Sequence, residues 1–277
     1  MYENHGISLP GMNLTPNFSL QKLNLRMNCR HGFEGMIKVT SQGITQFKNL
    51  TQLKITISSL KLELSPMKDL CTAIKSLDTL NNLDLFLIVR ELLSDQYSTI
   101  LSQLKTLKPL SRLSLGIDSN FRDIINESAL VELYSLIQAQ THLRKLHLSF
   151  YNNAKPDQNF KNLIPSTSNL LNLEELTIEI YGSKFDSLIF SFFTEAPWLQ
   201  DRLLILGLRT IYTTTKLEDY CAALSPIHNF KKLKTLNLAC IGTKFESENS
   251  YLLKDTLSSL KKISGLNINI KESFYDW

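Results

Sequence analysis

The sequence predicts an α/β horseshoe solenoid of about nine units, with a parallel sheet on the concave side and helices on the convex side. The pattern L-x-x-L-x-L-x-L returns with first positions Leu20, Leu50, Leu80, Leu110, Leu143, Leu173, Leu203, Leu233 and, led by isoleucine, Ile263. The steps between them are 30, 30, 30, 33, 30, 30, 30 and 30 residues, a self-similarity that defines a repeat array. Within a unit, apolar residues alternate, as in Leu53, Ile55, Ile57 or Leu146, Leu148, Phe150, the period of a strand with one buried face. Upstream, apolar residues stand ten, six and three positions before the first leucine, as in Leu70, Ile74, Leu77, in Ile100, Leu104, Leu107 and in Leu253, Leu257, Leu260. Spacings of four and three belong to one face of a helix.

Helix-start signals stand where this phasing needs them. Ser65-Pro66 reads as an N-cap followed by proline, and Thr215-x-x-Glu218 and Thr243-x-x-Glu246 read as capping boxes. A strand, a helix and another strand in the same direction require a parallel sheet. Strands lie about 4.8 Å apart and helices about 8 to 10 Å, so the sheet side curves inward. The chain reads as one domain over 1–277, with a partial cap at 1–19, nine repeats over 20–270 and a tail at 271–277. Each repeat buries roughly six or seven apolar side chains, at about 1.5 to 3 kcal/mol apiece, which offsets ordering entropy without a metal, disulfide or cofactor.

With 43% hydrophobic and 20% charged residues, the 277-residue chain has the composition of a folded protein, and a net charge of +4 falls short of a dedicated nucleic-acid binder. There is no apolar run of membrane-spanning length and no basic, apolar leader in MYENHGISLPGMNLTPNF, so the expected location is the cytoplasm. Cys29, Cys71, Cys221 and Cys240 are scattered, which supports reduced thiols over a disulfide framework or a zinc site.

These units resemble leucine-rich repeats, closest in length to the ribonuclease-inhibitor-like subclass, over about residues 20 to 270. The resemblance implies a convex helix returning the chain in each unit. The family's turn asparagine is matched only by Asn28, since the equivalent positions hold Ser58, Ile88, Asp118, Tyr151, Tyr181, Ile211 and Ile241. An alternative turn is suggested by Tyr181-Gly-Ser-Lys-Phe185 and Ile241-Gly-Thr-Lys-Phe245, sixty residues apart in phase, whose glycines supply unusual backbone angles.

Three irregularities mark places where a partner could dock. The 33-residue step puts three extra residues near Asn126, in the loop before a helix. The segment from Phe185 to Gln200 has more apolar residues than one helix face buries, leaving Phe190, Phe192 and Trp198 either outward or buried by a kinked return, with Pro197 ending or kinking the helix. At the carboxyl end, the strand Leu266 to Ile270 either docks a neighbouring subunit or is covered by Phe274, Tyr275 and Trp277.

No phosphate-cradling loop, nucleophile elbow or metal-binding helix motif occurs, and His142 and His147, five apart on a strand, cannot share a metal, so no catalysis is expected. Outward strand positions supply the candidate contacts: Lys22, Arg26, Lys54, Phe86, Arg112, Lys145, His147, Glu175, Glu179 and Arg209, with Phe190 and Trp198 on the convex side. Early rows are basic and the sixth is acidic, a mixture suited to a protein partner. The expected function is a non-catalytic protein-interaction scaffold or a stable subunit of a larger assembly. Contact with RNA or a ribonucleoprotein through the basic N-terminal half is the alternative reading. The family resemblance adds regulation of a small GTPase, although no catalytic arginine motif is present.

Overall fold

Leu53, Ile55 and Ile57 point into the core while Lys54 and Thr56 point away, and this alternation recurs from strand to strand. The computed structural model describes residues 19–29, 33–91, 94–118, 127–151, 163–181, 193, 196–211, 214–215, 221, 224–242, 244–245, 250–260 and 263–271. The chain divides into two compact units, Met1–Gln140 and Thr141–Trp277. Each is an α/β array of repeated strands with helical returns.

In the first unit, β1 (Lys22–Cys29), β2 (Gln52–Lys61), β3 (Asn82–Glu91) and β4 (Arg112–Asp118) form a parallel sheet in chain order. Register advances by thirty residues, so Leu23, Leu53, Leu83 and Leu113 are aligned in one row. The strands are followed by α1 (Phe33–Ile44), α2 (Leu64–Lys75), α3 (Ser94–Leu104) and α4 (Glu127–Ala139). Leu70, Ile74, Leu77, Ile100, Leu104 and Leu107 are all buried, as their spacing predicts.

A doubled hydrogen bond joins successive repeats. The Gln21 carbonyl accepts from the amides of Thr51 and Gln52, that of Thr51 from Asn81 and Asn82, and that of Asn81 from Ser111 and Arg112, all at 2.8 to 3.2 Å. Without an asparagine turn, β2 and β3 run on through Ser58 and Ile88 to ten residues each. Ser65-Pro66 is not the N-cap. Glu63 holds that position without a side-chain cap bond, and Pro66 sits inside the first turn, where its missing N–H leaves no helical bond unmade.

In the second unit, β5 (Lys145–Tyr151), β6 (Glu175–Tyr181), β7 (Ile205–Ile211), β9 (Thr235–Ile241) and β11 (Gly265–Lys271) form a parallel sheet. The doubled bond recurs at the carbonyls of Arg144, Glu174 and Leu204. A second, two-stranded sheet pairs β8 (Thr214–Thr215) with β10 (Lys244–Phe245), and Gly242 before it has φ 65°, the left-handed angle that its place in the glycine motif anticipates. Gly182, the other glycine of that echo, lies outside the described residues.

Among the described residues the returns of this unit include α5 (Leu163–Ser166), α6 (Pro197–Gln200), a 3-10 turn (Ser225–Asn229) and α7 (Ser250–Ser259). Pro197 begins α6 rather than ending a helix, because at the first helical position its fixed φ is already suitable. Phe193 is fully buried and packs edge to face on Phe230, with ring centroids 6.0 Å apart. On β11, Leu266 and Ile268 occupy the core phase yet are each 41% exposed.

Cys71, Cys221 and Cys240 are buried thiols, not joined in a disulfide, and burial pushes the Cys71 thiol up to about 12 against the opposing pull of Lys75. No helix among the described residues is long and apolar enough to cross a membrane.

Candidate functional site

The strand faces turned away from the helices carry most of the predicted contact residues, and the two units present different chemistry there. On the first, register sets Arg26, Thr56, Phe86 and Gly116 in one row and Asn24, Lys54, Asp84 and Ser114 in the next. The Phe86 ring lies against Gly116, where an added Cβ would stand 2.3 Å from Cδ1. Glycine is required there for the ring to lie down. The Lys54 ammonium is 5.7 Å from the ring centroid, within cation–π range.

The extension of β2 and β3 carries the outward rows further. Ser58 is in register with Ile88, and beyond them stands Leu60. Ile88 is 39% exposed and Leu60 40%, two of the seven large apolar side chains this open among the described residues. Sequence reading missed both, although the absent asparagine at these positions was the available signal.

The predicted cations separate into two groups. Arg112 Nε donates to Asp84 Oδ1 at 3.1 Å and Lys145 pairs with Glu175 at 2.7 Å, so both are neutralised by a neighbouring strand. Lys22 and Arg26 are exposed and make no ion pair among the described residues.

On the second unit, the outward face closes on itself. Glu179 is only 4% exposed, which corrects its reading as a solvated contact residue. Its Oε1 accepts from Arg209 Nη1 at 2.5 Å, and its Oε2 accepts from the Ser149 hydroxyl at 2.8 Å and lies 3.3 Å from His147 Nε2. The Tyr181 hydroxyl is 3.4 Å from the same oxygen. Burial acts to raise the Glu179 pKa, but His147, Arg209 and Ser149 outweigh it and hold the carboxyl at about 2. The same carboxylate raises the Arg209 pKa.

Ser149, His147 and Glu179 have the composition of a nucleophile triad but not its connectivity. Serine and carboxylate approach the same imidazole nitrogen, and Ser149 Oγ donates directly to Glu179. A hydrolytic triad needs the imidazole to bridge the two through opposite nitrogens. Ser149 is also buried. The cluster therefore lacks the relay of a hydrolytic triad and instead ties three neighbouring strands together across the sheet face.

Of the convex residues, Trp198 is half-buried and its indole donates to Thr167 Oγ1 at 3.2 Å, which favours packing over an outward aromatic. Phe190, Phe192, the insertion around Asn126 and the tail aromatics lie outside the described residues. His142 is exposed in a turn and His147 joins the Glu179 network. No group of three His, Cys, Asp or Glu side chains suited to a metal occurs among the described residues.

Parallel strands with a thirty-residue register, L-x-x-L-x-L-x-L at each strand and helical returns give the chain the architecture of a strand-plus-helix leucine-rich repeat. No family model matches the chain, and no curated protein is detectably similar to it in sequence. Among solved structures, it is similar to internalin C2 (inlC2) of Listeria monocytogenes str. 4b F2365, at 12% identity and a TM-score of 0.36 over 85% of this chain and 92% of that one.

Proposed function

We propose that this protein is a non-catalytic protein-interaction scaffold that holds its partner on the outward sheet face of the first unit. The observation that carries the reading is the open apolar pair Leu60 and Ile88 on the same face as Phe86, where Arg26 and, further back along the strands, Lys22 make no ion pair among the described residues. Exposed apolar groups beside charge are the composition of a protein-docking patch. The pairing of Arg112 with Asp84 and of Lys145 with Glu175 breaks the cationic track that an RNA backbone would follow, and supports a protein partner over a nucleic acid. The reading places the protein in the cytoplasm, where the buried thiols of Cys71, Cys221 and Cys240 stay reduced.

Affinity purification of the full chain from nuclease-treated lysate, compared with a Leu60→Asp/Ile88→Asp variant, tests it. Stoichiometric protein partners that copurify with the wild type and disappear with the variant are expected. Partners that remain in full place the interface elsewhere.

A further inference from the structure

We propose that the occupant of this face is an acidic peptide segment that carries bulky apolar side chains between its carboxylates. The inference rests on the protein-scaffold reading above and specifies the partner's chemistry.

The face offers two kinds of anchor in a fixed arrangement. Toward β1 and β2 stand Lys22, Arg26 and Lys54, and none of the three makes an ion pair among the described residues. The nearest outward acid in register with Lys54 is Asp84, which is held by Arg112 at 3.1 Å and cannot neutralise the group as a whole. Lys22 and Arg26 are four residues apart on one strand, about 13 Å at the strand rise, the separation of residues four apart in an extended ligand. Toward β3 and the far ends of the strands stand Phe86, Ile88 and Leu60. Arg26 and Phe86 share a row two strands apart, about 10 Å, so one segment reaches both.

Complementarity fixes the ligand's sign and its second property. A carboxylate gains from three like charges that repel one another when the face is empty. Acidity alone leaves Leu60 and Ile88 in water, so an apolar side chain on the ligand adds burial that a purely anionic chain cannot. Phe86 is held down by the gap at Gly116 and by Lys54, so it is a preorganised floor rather than a side chain that must be ordered on binding.

Fluorescence anisotropy of the full-length protein with a short labelled peptide alternating Asp or Glu with Leu or Phe tests the proposal. The controls are a peptide of equal charge with serine at the apolar positions, and an oligouridylate of equal length. Saturable binding of the acidic–apolar probe is expected, with the serine probe at least about tenfold weaker. Ile88→Asp and, separately, Arg26→Glu should each weaken the acidic–apolar probe by about tenfold, while its affinity falls as salt rises. Both positions are exposed, and thermal melting confirms that each variant is folded. If one is not, the other carries the test.

Equal affinity for the two peptides overturns the apolar half, and tighter binding of oligouridylate overturns the choice of a peptide. If the acidic–apolar probe fails to bind while copurifying partners still depend on Leu60 and Ile88, this inference falls and the scaffold reading stands. If those partners do not depend on Leu60 and Ile88, the placement of the interface on this face falls.

Discussion

The outward faces of the two units are built on the same thirty-residue register and end in opposite states. In the first, Lys22, Arg26, Leu60 and Ile88 face solvent. In the second, Arg209, His147 and Ser149 converge on one buried carboxylate, Glu179. The difference follows from what a neighbouring strand places thirty residues on: Ser149 meets Glu179 and Glu179 meets Arg209, whereas Arg26 meets Thr56 and Thr56 meets Phe86. A repeat makes neighbours of residues one period apart, and their chemistry decides whether the face locks or stays available.

The core of the second unit holds the edge-to-face contact of Phe193 with Phe230. Phe193→Ala should therefore produce the largest loss, about 3 to 5 kcal/mol in denaturant unfolding of the second unit, as expected for a fully buried aromatic. A loss below about 1 kcal/mol would show that this core does not depend on its aromatic pair.

The locked face should reveal itself through pH. Glu179 is held at about 2 against an ordinary 4.5, so its contribution to stability is fully present above 4.5 and is lost as pH falls from there toward 2. The shift corresponds to about 3 kcal/mol at most. Wild type and Glu179→Gln, compared by unfolding across that range, should converge at the acid end and diverge above it. Parallel curves would break the claim that the second face is closed by this carboxylate.

Glycines sharpen the comparison further. Gly116→Ala pushes on Phe86, and Gly207→Ala on Thr177, whose Oγ1 would stand 2.7 Å from the added Cβ. Each should cost about 1 kcal/mol or slightly more by melting temperature, but only Gly116→Ala should also weaken partner retention, because only Phe86 belongs to the open face. The smallest effect is expected from Lys145→Ala, whose partly exposed pair with Glu175 should contribute under about 1 kcal/mol.

The strand rows and the buried helix phase were legible in the sequence because burial imposes periods of two and of three to four on leucine-rich segments. Leu53, Leu70 and Ile74 follow that rule without exception. The role of Pro197 was less legible, since a proline can end a helix or begin one and its neighbours do not say which. Ser65-Pro66 misled for a related reason: a cap is defined by backbone angles, and Glu63 holds the extended conformation required. The Glu179 network could have been found by adding thirty to Ser149 and to Glu179. Reading each row along its own strand conceals partners that lie across the sheet.

The doubled hydrogen bonds at Gln21, Thr51 and Asn81 couple pairs of amides across each repeat boundary. Thr51 and Gln52 share one acceptor, as do Asn81 and Asn82, so parting two repeats breaks both bonds of a pair at once. Amide hydrogen exchange should then advance through the stack in steps of two, with the slow pairs marking boundaries between repeats that open together and the fast pairs marking where one repeat peels from the next.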